Sequence, residues 1–198
     1  MPPRLLPLAI AYDFDGTLAP GNMQEHLFLP KVGVKKKEFW EEVSQTSKSQ
    51  QADNILVYMG LMLKKAYLAD VEVQKKDFRE YGRGLPLFPG VDKWFDRINR
   101  YGHQGGVRVE HYIVSSGLRE IIEGTSIKNE FKKVFASGFW YDQHNVAKRA
   151  ALALNYTTKT QYLFRINKGC LDIYDNEKIN QWVRPDKRPV PFQNMIYR

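Results

Sequence analysis

Apolar and polar positions along the chain repeat in two ways, as short continuous apolar runs and as stripes of helical spacing. Leu8-Ala9-Ile10-Ala11-Tyr12 is apolar throughout and ends in a polar turn, the pattern of a strand buried on both faces of a parallel sheet. The same shape recurs at Tyr112-Ile113-Val114, which ends in Ser115-Ser116-Gly117, and at Asn194-Met195-Ile196-Tyr197; Val134-Phe135-Ala136 adds a further strand. Between the first two runs, residues 22–85 read as a helical insert. Glu38 to Val43 is rich in helix formers, and Ile55, Tyr58, Met59, Met62 and Leu63 recur at helical spacing before Lys64-Lys65. That Met-rich stripe reads as packed core rather than as a ligand groove. Val91, Trp94, Phe95 and Ile98 outline a short amphipathic helix after Pro89-Gly90, with Gly102 as its stop. Leu118 to Ile122 continues the second strand as a helix, and residues 139–166 alternate aromatic and polar groups as an irregular hairpin does. Lys168-Gly169 opens another helical pattern through Leu171, Tyr174, Ile179 and Trp182, ended by Arg184-Pro185. Strand and helix alternate, which argues an α/β layered core with its site at the carboxyl ends of the strands.

Composition narrows this picture only a little. At 198 residues and 43% hydrophobic, the chain suits one compact domain with an insert. The single cysteine, Cys170, rules out an internal disulfide, and a cytoplasmic protein is the expectation. The net charge of +8 is scattered, with only Lys35-Lys36-Lys37 as a run, so it reads as a basic surface and nucleic acid is not the expected partner. Leu5 to Tyr12 is interrupted by Pro7 and runs directly into Asp13-Phe14-Asp15, which makes it a strand rather than a signal peptide. Ile55 to Leu63 is too short to cross a bilayer. His26, His103, His111 and His144 show no metal-ligand spacing.

The chemistry concentrates in Asp13-Phe14-Asp15-Gly16-Thr17-Leu18, directly after the first strand. A carboxylate there can attack phosphorus and form an aspartyl-phosphate, and a second carboxylate two residues later can trade protons with the leaving group and then with water. Gly16 permits the sharp turn, and Thr17 offers a hydroxyl and an amide toward phosphate.

These residues resemble the first motif, DxDxT, of the haloacid dehalogenase-like hydrolases, and the second Asp resembles the phosphatase branch, phosphoserine phosphatase among them. The resemblance implies a Rossmann-like parallel sheet (residues 1–21 and 86–198), a helical cap inserted at 22–85, Mg²⁺ dependence and hydrolysis of a small phosphomonoester. It makes Asp13 the nucleophile, Asp15 the general acid and base, and both of them metal-site residues. Ser115, with Ser116 and Gly117 following, matches the second motif, in which a hydroxyl and amides hold the phosphoryl group. For the lysine of the third motif, Lys168 in Asn167-Lys168-Gly169 is the first choice and Lys159 in Thr158-Lys159-Thr160 the runner-up. The family's fourth motif is an acidic loop of the GDxxxD type that completes the magnesium site. In the sequence as given, Met195-Ile196-Tyr197 is followed by Arg198, so the expectation is weak Mg²⁺ binding and impaired turnover. Asp172, Asp175 and Asp186 read as surface and loop residues rather than substitute ligands. A phosphomutase or phosphotransferase of the same superfamily, and an inactive binding protein, are the alternatives; substrate identity and oligomeric state stay open.

Overall fold

The computed structural model describes residues 5–172. The strand expected at Asn194 to Tyr197, the helical pattern from Tyr174 onward, Asp175 and Asp186 lie outside the described residues. Four strands, β1 (Leu6–Tyr12), β2 (Val107–Leu118), β3 (Phe131–Tyr141) and β4 (Ala147–Leu152), form one sheet in the order β1-β2-β3-β4. The first three run parallel, and β4 returns antiparallel to β3. Helices pack around them, which is the expected α/β class.

Side chains of β2 alternate between two cores, as the two-residue strand period requires. Tyr112 and Val114 join Ala9, Phe135, Leu154, Tyr162 and Ile166 on one face. Ile113 joins the larger cluster on the other, with Phe14, Phe95 and the apolar residues of the insert. Both faces of the parallel strands are therefore covered, which accounts for their continuously apolar sequence.

The helices are α1 (Phe28–Lys31), α2 (Lys36–Gln50), α3 (Asn54–Leu68), α4 (Lys75–Arg83), α5 (Val91–Gln104), α6 (Arg119–Gly124) and α7 (Tyr156–Lys168), with 3-10 turns at Met23–Glu25 and Lys128–Glu130. The stretch between β1 and α5 is thus helical, as its pattern predicts. Asp53 caps α3, accepting from the amides of Ile55 (2.8 Å) and Leu56 (3.1 Å). Tyr58, Met59 and Met62 are buried in the main core. Helix α4 opens with a capping box between Gln74 and Asp77 and buries Phe78 against Phe28 and Phe139. Its Gly82 and the Gly124 of α6 let two backbones touch: a Cβ on Gly82 would lie 2.0 Å from the Ile121 carbonyl oxygen, and one on Gly124 would lie 2.0 Å from that of Arg79.

Three sequence expectations are corrected here. Helix α5 does not stop at Gly102 but runs to Gln104 and ends at Gly105. Gly102 instead makes room for β2, because a Cβ there would sit 2.6 Å from Val109 Cγ2. The hairpin at 139–166 is real only across β3 and β4; from Tyr156 the chain is helical. Lys168-Gly169 ends that helix rather than opening one, with Gly169 in the left-handed conformation (φ 70°) that commonly closes helices.

The end of β1 is anchored by a chain of polar contacts. Trp94 Nε1 donates to the Tyr12 hydroxyl (2.9 Å), which donates to His111 Nδ1 (2.9 Å), and His111 Nε2 donates to Asn99 Oδ1 (3.0 Å). Burial holds the His111 pKa below its ordinary value, consistent with the neutral ring this chain requires. Strands β1 and β2 are in register with Tyr12 opposite Ile113, so Asp13 and Ser115 emerge together at adjacent carboxyl ends. Among the described residues no helix is long and apolar enough to cross a membrane.

Candidate active site

The turn after β1 winds around one carbonyl. Phe14 O accepts from the amides of Thr17 (3.2 Å), Leu18 (2.9 Å) and Ala19 (3.2 Å), with Gly16 at φ +71°. This tight wrap sets both acids at the wall of a cleft of about 600 Å³. Asp13 Oδ1 accepts from the Phe14 amide (2.8 Å), and Oδ2 accepts from Lys159 Nζ (2.6 Å). Asp15 Oδ1 accepts from the Met23 amide (3.0 Å).

Asp15 is partly buried, and its pKa is pushed up to about 7, first by burial and further by Asp13 and Glu25; the Met23 amide and Lys159 oppose the rise. Its ordinary value is 3.8, so the folded protein favours the protonated carboxyl. The stability this contributes is fully present below about pH 4 and is lost as pH rises through 7. Asp15→Asn removes the titration. In metal-free buffer the variant should therefore gain on the wild type between pH 4 and 7, then hold a constant advantage on the order of 2 kcal/mol, discounted for partial exposure. Urea melts at pH 4.5 and 7.5 read it; an equal difference at both pH values contradicts the raised pKa.

At the end of β2, Ser115 is fully buried and its Oγ accepts from the Gly117 amide (3.0 Å), so the hydroxyl retains its hydrogen as a donor. Ser116 O accepts from the Tyr58 hydroxyl (2.8 Å), which ties α3 to this end of β2. Gly117 has no room for a side chain: a Cβ would come within 2.2 Å of Met23 Cε and 3.0 Å of Asp15 Oδ2. Met23 cannot simply swing away, because it is buried and its sulfur accepts from the Leu118 amide (3.1 Å).

The structure brings Asp13, Asp15, Ser115, Ser116 and Gly117 together around the cleft. Two expectations fail to converge there. Thr17 is exposed, does not line the cleft, and spends its amide on Phe14 O. Lys168 is not the lysine beside Asp13; Lys159 is. Asn155 caps α7 with its side chain on the Thr158 amide (2.9 Å), which places Lys159 in the first turn facing β1. Lys168 lies nine residues on, about two and a half turns, and so faces away, with its ammonium over the Phe164 ring.

The insert supplies much of the remaining wall: Gln24, Trp40, Val43, Asp53, Ile55 and Tyr58. None was singled out for the site by sequence, although Tyr58 and Ile55 belong to the stripe read as core. Asp53 also accepts from Asn155 Nδ2 (2.7 Å), so the caps of α3 and α7 bond to each other beside the cleft. Burial raises the Glu25 pKa, but bonds from Asn22 (2.9 Å), Lys36 (3.0 Å) and Trp40 Nε1 (2.7 Å) outweigh it and hold the carboxyl below its usual range.

Asp13 and Asp15 are oxygen donors, the kind a hard divalent cation takes, and they sit at one strand end. Among the described residues no third Asp, Glu, His or Cys completes a metal-binding group.

Residues 10–196 match the family model of haloacid dehalogenase-like hydrolases. An uncharacterized protein of Borreliella burgdorferi is 31% identical over 216 aligned residues, which cover 96% of this chain and 73% of that one. The fold is similar to that of a HAD family hydrolase from Salmonella enterica serovar Typhi, with TM-score 0.63 and 16% identity over 83% of this chain. The chain spans only 53%, about half, of that hydrolase. It is also similar to a phospho-aspartyl intermediate analogue of phosphoserine phosphatase, with TM-score 0.56 and 14% identity, covering 82% of this chain and 72% of that one. At these identities the structural likeness is one of fold.

Proposed function

The chain belongs to the haloacid dehalogenase-like hydrolase family, and from that premise we propose that it hydrolyses small phosphomonoesters through an aspartyl-phosphate on Asp13. The observation that carries this reading is the Asp13 carboxylate at the end of β1, paired with Lys159 at 2.6 Å, with Asp15 two residues on and Ser115 on the adjacent strand.

In the first step an Asp13 oxygen attacks phosphorus, the bond to the ester oxygen breaks, and Asp15 gives its proton to the departing alcohol. In the second, Asp15 takes a proton from water, the water oxygen attacks phosphorus, and the bond from Asp13 breaks to release phosphate. The Ser115 hydroxyl and the Ser116 amide hold the phosphoryl oxygens, the Gly117 amide orients the Ser115 hydroxyl by donating to its Oγ, and Lys159 offsets the phosphoryl charge. Residues 22–85 act as a cap over a core of residues 1–21 and 86–198, excluding water while the phosphoryl group is transferred. Mg²⁺ would be held by the Asp13 carboxylate and the Asp15 main-chain carbonyl, where it neutralises phosphoryl charge.

Asp15→Asn tests the proton transfers. The variant is expected to lose about 10²- to 10⁴-fold on an alkyl phosphate, and clearly less on 4-nitrophenyl phosphate, in phosphoryl transfer to Asp13 measured as the burst of alcohol release. Equal losses on both would remove Asp15 from the role of acid. Phosphate released in equal amount to alcohol identifies hydrolysis; a shortfall with a second phosphorylated alcohol identifies transfer.

A further inference from the structure

We propose that the alcohol half of the substrate is an uncharged, ring-bearing group seated against Trp40 and offering a hydrogen-bond donor to Gln24. The proposal rests on the phosphomonoester reading above and adds the chemical class of the ester.

Trp40, Val43, Ala52, Ile55 and Tyr58 give the part of the cleft built by the insert an apolar and aromatic side, facing it together with the polar Asn22, Gln24, Ser44, Asp53 and Asn54. The Trp40 ring is held in place: its N–H donates to Glu25 (2.7 Å), and it meets Phe39 and Tyr58 edge-on, at centroid distances of 5.1 and 6.0 Å. A fixed indole beside aliphatic side chains favours a flat apolar partner, because an anionic one would be stripped of water against that wall with nothing in return.

Charge on the cleft points the same way. Lys159 offsets Asp13 and burial favours the neutral form of Asp15, but Asp53, whose hydrogen bonds favour its ionised form, also lines the cleft, so a carboxylate on the leaving alcohol meets repulsion there. A cationic alcohol is not favoured either, since Asp53, the carboxylate that the insert contributes to the cleft wall, and Glu25 behind Trp40 already have partners. Asp53 accepts from two amides and Asn155, and Glu25 accepts from Lys36, Asn22 and Trp40.

Among the described residues that line the cleft, one buried side-chain atom has no hydrogen bond. Gln24 is 2% exposed and lines the cleft, and its Oε1 is buried without a hydrogen bond. A buried acceptor left unsatisfied is costly, and a hydroxyl or N–H on the ring-bearing alcohol would satisfy it. The cleft, at about 600 Å³, has room for a ring together with a phosphoryl group.

The test compares 4-(hydroxymethyl)benzyl phosphate with 3-phosphoglycerate and phosphocholine as substrates, and the corresponding non-hydrolysable phosphonates as ligands in calorimetry. Expected are a kcat/KM for the ring ester at least about 20-fold above either charged ester, and the same order of phosphonate affinities. Trp40→Ala should reduce that preference about 10-fold, Trp40→Phe should keep most of it, and Gln24→Met should weaken the hydroxymethyl compound more than plain benzyl phosphate. Phosphate release from all three esters with no preference for the ring overturns this proposal and leaves the hydrolase reading intact. Preferential binding of the ring phosphonate with no ester hydrolysed supports it and overturns the hydrolase reading instead. Equal phosphonate affinities overturn it whatever the turnover. Should Trp40→Ala fail to fold, the wild-type phosphonate ranking and the Trp40→Phe and Gln24→Met variants decide the matter.

Discussion

Asp13→Asn is expected to lower phosphate release by at least about 10⁴-fold while the protein stays folded, because a carboxamide oxygen cannot serve as the nucleophile. The Asp13 side chain is 40% exposed, so losing its ion pair with Lys159 should move stability little. The same assay separates the two lysines. Lys159→Met should cost about 10²- to 10³-fold in kcat, since it removes the cation beside the attacking carboxylate. Lys168→Met should leave kcat near the wild-type value, because its ammonium rests over Phe164 at the other end of α7. Normal turnover in Asp13→Asn would end the aspartyl-phosphate reading, and a collapse in Lys168→Met would show that the described position of α7 is not the working one.

The second large effect is on stability. Gly82→Ala should cost about 3 kcal/mol or more, because the new Cβ meets only backbone: the Ile121 carbonyl oxygen at 2.0 Å and Gly124 Cα at 2.8 Å. No side chain can rotate to make room, so α4 would have to separate from α6. Since α6 follows directly on the end of β2 that carries Ser115, Ser116 and Gly117, phosphatase activity should fall as well. Gly60→Ala is the internal control. Gly60 lies within α3 with open space where its Cβ would go, and alanine there should stabilise by about 0.5–1 kcal/mol. Urea denaturation of both variants measures the contrast. A Gly82→Ala protein within about 1 kcal/mol of wild type would mean that the two helices do not touch as described.

How much of this was legible in the sequence depended on whether the signal was local. The apolar runs before Asp13 and Ser115 are buried on both faces, so they are readable without knowing their neighbours; the first gives way to a turn and the second to the irregular end of β2. Asp13, Asp15, Ser115, Ser116 and Gly117, which line one cleft, stand out for that reason, and helical spacing marks the helices between β1 and α5. The capping signal at Asn155 and Thr158, followed by Tyr162 and Ile166 one turn apart, could have revealed α7. The aromatic and polar alternation before and within it masked that signal and suggested a hairpin instead. Without α7, Gly169 reads as a helix start rather than as its left-handed stop, and the local pattern favours Lys168 over Lys159.

By itself, then, the sequence determined the α/β class, the turn chemistry after β1 and the two strand ends that meet, because each follows from the periodicity or turn preference of a few consecutive residues. Only the tertiary structure decided which lysine reaches Asp13, that Asp53 bonds to Asn155 across 102 positions, and that Trp40 and Gln24 face the same cleft as Asp15. Those pairings bring together residues distant along the chain, through the packing of α2, α3 and α7 against the sheet. No local pattern encodes them, because a side chain's partner across a cleft depends on how whole elements dock.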